Sequence, residues 1–176
     1  AGRDHNHVGG FVIQNTTVNY FPRNIENIFK NLLVIVVRNA SLLEIHREDL
    51  AGFPELRTLN LAINEIQMLE KDLFKYNEKL EFLSLYNNKI SYVDAKVFVN
   101  LTNLVSLNFN INPCTKNVTF KAENNKTQVA RVKKKVVISC FAINDIFDGD
   151  FRVKKEFTKL NDEISVLKIE TEKIKD

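Results

Sequence analysis

The sequence predicts an α/β solenoid, right-handed, with a parallel sheet on its concave face, a disulfide-bearing C-terminal cap and a C-terminal helix. Three observations predict it. An apolar ladder repeats every 24 residues through the first two thirds of the chain. The ladder stops at Asn112-Pro113-Cys114, and a second cysteine, Cys140, follows. Residues 151–176 then change to apolar intervals that alternate between three and four.

The ladder comes first. Leu32, Leu56, Leu80 and Leu104 are 24 residues apart, with Val8 one period earlier. From each, the pattern L-x-x-L-x-L-x-x-N-x-L can be read. The five turns give Val8/Phe11/Ile13/Val18, Leu32/Ile35/Val37/Leu42, Leu56/Leu59/Leu61/Ile66, Leu80/Leu83/Leu85/Ile90 and Leu104/Leu107/Phe109/Cys114. At a hydrophobic content of 44%, chance fills all 20 positions about once in 10⁷ for a fixed register. One turn cannot bury its apolar edge alone, so the turns must stack. Each should contribute a short strand, centred on Val12, Val36, Asn60, Ser84 and Asn108, to a parallel sheet.

The ninth ladder position is Thr16, Ala40, Asn64, Asn88 and Asn112. Asparagine there should point inward and bond the backbone of its turn, because buried main-chain groups need partners. Thr16 replaces it weakly and Ala40 not at all, so the first two turns should be less regular than the last three.

The returning half of each turn also repeats. Phe21, Ile45, Leu69 and Val93 share one inward position, and Leu50, Phe74 and Phe98 another. Phe29, Phe53 and Leu101 share a third, with Tyr76 one place early. The spacings Leu69/Leu73/Tyr76 and Val93/Val97/Leu101 predict short helical turns on the convex side. Full helices are not expected, because only about ten residues are available.

Pro113 removes a backbone donor where the next strand would pair. The open end of a solenoid needs cover. Residues 1–113 are therefore read as about five repeat turns and 114–150 as the cap. Val118, Phe120, Val129, Val136, Val137 and Ile138 would supply its apolar side. The two cysteines suggest a Cys114–Cys140 disulfide, which would stabilise by roughly 3 kcal/mol on the chain-entropy model.

In residues 151–176, Phe157, Leu160, Ile164, Leu167, Thr171 and Ile174 form a heptad seam with one polar break. A lone helix this short is marginal in water and needs a partner. The partner is either the solenoid itself or another chain, which makes Phe157, Leu160, Ile164, Leu167 and Ile174 candidate residues of an oligomerisation helix.

Composition sets the compartment and excludes classes. A net charge of +3 is too small to argue for nucleic acid, and no apolar stretch is long enough to span a bilayer. Five N-glycosylation sequons begin at Asn15, Asn39, Asn100, Asn117 and Asn125. Together with the cysteines they indicate a secreted, extracellular glycoprotein. Residue 1 is Ala and no basic-then-apolar leader precedes the ladder, so a mature chain is the simplest expectation, with a fragment as the alternative.

The repeats, the Asn112-Pro113-Cys114 end and the later Cys140 resemble extracellular leucine-rich repeat proteins, most of all small secreted ones of dipteran insects such as mosquitoes and midges. Phe11-Val12-Ile13, Val18 and Phe21-Pro22 resemble their first turn. Leu56-Arg57-Thr58-Leu59-Asn60-Leu61 and Leu80-Glu81-Phe82-Leu83-Ser84-Leu85 are similar to their regular turns. The resemblance covers roughly residues 8–140. It implies a leucine-rich repeat solenoid, a recognition role and a link to innate immunity. The tail resembles a short version of the coiled coil with which some relatives assemble in pairs.

Enzyme chemistry finds no footing. Neither cysteine lies in an activating sequence. His5 and His7 lack a third anchored ligand, His46 stands alone, and the carboxylates are scattered, so neither a metal, a cofactor nor an acid/base pair is nominated. The run Arg131-Val132-Lys133-Lys134-Lys135 is read as a solvated edge of the cap rather than a site for acidic partners. The surface that remains is the concave wall. The third, fifth and seventh positions of each turn face away from the ladder, and Val34, Val36, Arg38, Asn60, Phe82, Ser84, Tyr86 and Asn108 are the candidate ligand-binding residues there. The expected function is non-enzymatic recognition of protein partners through that wall. A structural role, with self-assembly through the C-terminal helix and solenoid surfaces, is the alternative.

Overall fold

In the computed structural model, residues 8–29, 31–115 and 120–141 are described. The helix expected over 151–176, with Phe157, Leu160, Ile164, Leu167 and Ile174, lies outside them, as do His5, His7 and the sequon residue Asn117.

The 24-residue period becomes a sheet register. Strands β1 (Gly10–Gln14), β2 (Val34–Arg38), β3 (Thr58–Asn60), β5 (Phe82–Ser84) and β7 (Ser106–Asn108) lie side by side and parallel. Gly10 pairs with Val34, Val34 with Thr58, Thr58 with Phe82, and Phe82 with Ser106. A shorter strand, β8 (Lys121–Ala122), closes the far edge antiparallel to β7. On the return path β4 (Met68–Leu69) and β6 (Tyr92–Val93) form a two-stranded parallel sheet. Helices α1 (Ile25–Ile28) and α2 (Arg47–Ala51) occupy the return path of the first two turns. Gly52, at the end of α2, lies so close to Glu26 that an added Cβ would collide with the glutamate's own Cβ.

All ladder residues of turns two to four are buried, as are Leu104, Leu107 and Phe109 of turn five. Phe21, Ile45, Leu69 and Val93 line the return side of the same core, with Leu50, Phe74 and Phe98. This continuous apolar spine is the main source of stability, at about 25 cal/mol for each Å² removed from water.

Asn64, Asn88 and Asn112 are buried, and each stitches two turns together. Asn64 Oδ1 accepts from the amides of Ala40 and Leu42, while its Nδ2 donates to the carbonyls of Val37 and Leu61. Asn88 accepts from Ile66 and donates to Leu61 and Leu85. Asn112 accepts from Ile90 and donates to Leu85 and Phe109. The first two turns are not the irregular ones expected, since β1 and β2 are the longest strands, at five residues each. Where Ala40 replaces asparagine, its main-chain carbonyl serves instead, accepting from Val18 N as Asn64 Oδ1 accepts from Leu42 N.

Two expectations for the return path fail. Helical turns were expected around Leu69/Leu73/Tyr76 and Val93/Val97/Leu101, but those stretches form the β4–β6 pair followed by hydrogen-bonded turns. Tyr76 was placed near an inward position, and it is exposed, with Lys75 Nζ 5.5 Å from its ring centroid. The inward position belongs to Asn77, fully buried 24 residues after Phe53. Its Nδ2 donates to the carbonyls of Leu50 and Phe53 at 3.0 Å each, supplying partners that an apolar side chain would not.

Beyond a single 3₁₀ turn at Pro113–Thr115, the cap is built on α3 (Lys126–Cys140). Asn125 starts the helix by accepting from Gln128 N at 2.9 Å. Val129, Val132, Val136 and Cys140 are buried along one face, and Cys140 is bonded to Cys114. Of the expected cap residues, Phe120, Val129 and Val136 are buried, Val137 is half-buried, Ile138 is exposed, and Val118 lies outside the described residues. The basic run is part of α3, and its Arg131, Lys134 and Lys135 are exposed, a solvated edge of the cap. Lys133 Nζ donates to Leu101 O at 2.9 Å, and burial lowers its pKa.

Candidate functional site

The concave face is fixed by alternation along the strands. Leu59, Leu83 and Leu107 point into the spine, so their neighbours in β3, β5 and β7 face outward. Fifteen positions line this wall: Gly10, Val12, Gln14, Val34, Val36, Arg38, Thr58, Asn60, Ala62, Phe82, Ser84, Tyr86, Ser106, Asn108 and Asn110. Ala62 was expected to face outward but is buried, at 4% exposure.

Phe82 is exposed on this wall at 40% and Val12 at 57%. Arg38 is also exposed, and Val34, Val36, Asn60, Ser84, Tyr86 and Asn108 are half-buried. Strand pairing puts Val34 next to Thr58, Thr58 next to Phe82, and Val36 next to Asn60. These side chains therefore form one patch. Asn60 Oδ1 accepts from Ala62 N at 3.0 Å, and Asn108 Oδ1 from Asn110 N at 3.3 Å. Each carboxamide is held by its oxygen. Arg38 is the one charged residue among the fifteen.

Along the rim beside the strand ends runs a row of left-handed residues. Asn15, Asn39, Ile63, Asn87 and Ile111 fall one per turn, with φ between 50° and 58°. Four of their amides donate to the following turn: Asn15 to Arg38 O, Asn39 to Ala62 O, Ile63 to Tyr86 O and Asn87 to Asn110 O. Asparagine tolerates this backbone, whereas the β-branched Ile63 and Ile111 adopt it with strain. The sequence reading did not single out this row; its signal was the asparagine recurring at the eighth position.

Two sequon residues belong to the row. Asn15 and Asn39 are exposed, and Asn39 Nδ2 donates to Asn15 Oδ1 at 3.0 Å. Asn125 is exposed at the start of α3, and Asn100 is half-buried. Away from the wall, charged side chains pair between neighbouring turns. Arg57 binds Glu81, and Lys79 reaches Glu55 at 2.6 Å. These two pairs contribute Arg57, Lys79 and Glu81 to a shallow cleft of about 320 Å³, completed by Asn103, Val105 and Lys126. Arg57 and Glu81 pair with each other there, and Lys79 pairs with Glu55 outside the lining.

His46, expected to be an isolated surface residue, sits between two carboxylates. Its Nε2 is 3.5 Å from Glu44 and its Nδ1 3.6 Å from Glu70 of the next turn. Burial disfavours the imidazolium, but hydrogen bonds and charge from Glu44 and Glu70 outweigh it, and the pKa is raised. Glu70 also accepts from Arg47 N at 2.8 Å, at the start of α2. Among the described residues, no group of three or more His, Cys, Asp or Glu side chains could hold a metal ion. No helix among them is long and apolar enough to cross a membrane.

A family model described as leucine rich repeat matches residues 54–113. No curated protein sequence matches the chain. Solved structures do. The APL1 leucine-rich repeat domain is 22% identical with a TM-score of 0.53, over 56% of this chain and 26% of that one. Toll, in its Drosophila complex with Spatzle, is 16% identical with a TM-score of 0.58, over 61% of this chain and 14% of that one. An internalin, InlF of Listeria monocytogenes, is 23% identical with a TM-score of 0.50, over 60% and 28%. The chain thus spans little more than a quarter of these proteins at most. At such identities the likeness is one of fold alone, that of a leucine-rich repeat solenoid; the parallel sheet, the Cys114–Cys140 disulfide and the helix α3 are this chain's own features.

Proposed function

We propose that this module recognises an extracellular protein partner through its concave wall. The observation that carries the reading is the patch of Val34, Val36 and Phe82, held outward by strands whose own packing fixes them, with Tyr86 half-buried two residues beyond the end of β5. A rigid sheet presents these groups already ordered, which reduces the entropic cost of association. Aromatic and aliphatic anchors ringed by amides and hydroxyls have the make-up of a protein-binding patch. With Arg38 as the one charge, the fitting partner is an uncharged surface carrying a single carboxylate opposite it.

The disulfide and the exposed sequon residues Asn15, Asn39 and Asn125 support a secreted location. Toll, whose fold this chain shares, is seen in complex with Spatzle and is described as a hub of development and innate immunity. That supports an immune setting for this chain as well.

The test is capture from the source fluid on two baits, the full chain and a Val36→Glu/Phe82→Glu variant. Equal melting temperatures establish that the variant is folded. A protein held by the first bait and reduced about tenfold or more on the second supports the reading. The same proteins held equally by both overturn it.

A further inference from the structure

Five sequons mark this chain for N-linked sugars, and those among the described residues differ in their surroundings. A sugar is joined to the asparagine Nδ2 on the extended chain and must then be carried through folding. Asn100 is half-buried, and Leu101, the middle residue of its sequon, is buried. Asn15 and Asn39 lie on adjacent turns with their carboxamides in contact. Asn39 Nδ2 donates to Asn15 Oδ1 at 3.0 Å, so a sugar on either nitrogen crowds the other side chain. Asn125 stands apart from these. It is exposed, as are Lys126 and Thr127, the rest of its sequon. Its Oδ1 accepts from Gln128 N and caps α3, while its Nδ2 has no protein partner among the described residues. Its main chain is fixed on both sides: Asn125 O accepts from Val129 N, and Asn125 N donates to Val105 O.

We propose that Asn125 carries an N-linked glycan on Nδ2 while its Oδ1 continues to cap α3. The assignment rests on the secreted reading above, because the sugar donor, a lipid-linked oligosaccharide pyrophosphate, belongs to the secretory pathway. In the transfer, a bond forms between Nδ2 and C1 of an N-acetylglucosamine. The bond from C1 to the pyrophosphate oxygen breaks, the pyrophosphate leaves with the electron pair, and one amide proton is lost. The carbonyl oxygen keeps its lone pairs, so the helix cap survives attachment. One side chain thus serves two ends, with its oxygen turned to the helix and its nitrogen to the sugar. The root of the glycan stands beside Val105 and Lys126, where they line the cleft with Arg57, Lys79, Glu81 and Asn103. The polar side chains there offer donors and acceptors to the hydroxyl and acetamido groups of the first sugar.

The experiment is secretion of the full chain from mammalian cells behind a cleavable leader, then release of its sugars with peptide N-glycosidase in heavy-oxygen water. Each asparagine that bore a sugar becomes an aspartate labelled with heavy oxygen, which peptide mass spectrometry locates. Asn125 is expected to be labelled in most chains and Asn100 in few. The added leader fixes the route, so a bare Asn125 in the secreted chain overturns the assignment without bearing on the natural location. Hydrogen exchange at the Gln128 amide then tests the retained cap. It should be equally slow in the glycosylated chain and in Asn125→Asp, which keeps a capping oxygen and loses the sugar. In Asn125→Ala it should be about fivefold faster. A glycosylated chain that exchanges as fast as Asn125→Ala would show that the sugar displaces the cap, and the proposed arrangement fails.

Discussion

The first and last turns of the ladder follow the same pattern and are covered to different extents among the described residues. At the β7 end, β8 pairs with the last parallel strand and α3 lays Val129, Val132 and Val136 beside the spine. The Cys114–Cys140 bond holds that helix to the final turn. Leu107 and Phe109 are in consequence fully buried. In the first turn, the equivalent residues Phe11 and Ile13 are half-buried, and among the described residues β1 is paired with β2 on one side. A repeat specifies its own interior, because each turn is covered by the next. It cannot specify where stacking stops. That depends on residues that break the period, and here these lie after Asn112.

The sharpest way to break this comparison is to cut the same ladder position at both ends. Leu107→Ala removes a fully buried side chain and should cost about 3 kcal/mol or more. Phe11→Ala removes a larger side chain that is half in solvent and should cost about 1–2 kcal/mol. Urea unfolding measures both. Equal losses would mean that the first turn is as well covered as the last.

Next in size is the bond that fastens the cap. Replacing both Cys114 and Cys140 by Ala should cost about 3 kcal/mol, since the bridge spans 26 residues. Amide hydrogen exchange localises the loss. Protection should fall first along α3 and persist at β2 and β3. A uniform fall would show that cap and ladder open as one unit.

The ladder itself was legible in the sequence because it is enforced by burial. A polar group in the spine would lose its water without gaining a partner, so each turn repeats the same apolar positions. The concave wall followed from the ladder by alternation. What escaped was set by groups other than leucine. Asn77 breaks the apolar rule where the carbonyls of Leu50 and Phe53 need a donor. Reading its phase strictly, 24 residues after Phe53, would have found it. Helix α3 was visible in Val129, Val132, Val136 and Cys140 at intervals of three, four and four, behind the capping residue Asn125.

The rim offers a gain in stability at the capped end. Ile111 has a φ of 57° and is 59% exposed, so it carries left-handed strain and buries little. Ile111→Asn should stabilise by about 1 kcal/mol. In the first turn Asn15 already occupies the same position with a φ of 55°. The reverse change, Asn15→Ile, should lose a similar amount and the bond from Asn39 with it. Thermal melts of both variants test the pair. If Ile111→Asn is neutral or harmful, Ile111 makes contacts that its exposure hides.

The smallest effect belongs to His46, between the two ends, where Glu70 of the third turn reaches back to the second. Its pKa is raised in the folded chain: burial opposes the charge, and Glu44 and Glu70 more than compensate. The sign follows from linkage. A raised folded value means the native state holds the proton more tightly than the unfolded chain does. The added stability is therefore complete below the ordinary imidazole value of about 6.5 and disappears as pH rises through the raised one. The side chain is 47% exposed, so water screens most of the attraction. A fall in melting temperature of about 1 °C across that window is expected, flattened by His46→Gln and by high salt. A melting temperature that instead climbed through the same window in the unaltered chain, and not in His46→Gln, would mean the imidazolium is disfavoured. The Glu44–His46–Glu70 contact would then not be an attractive link between the second and third turns.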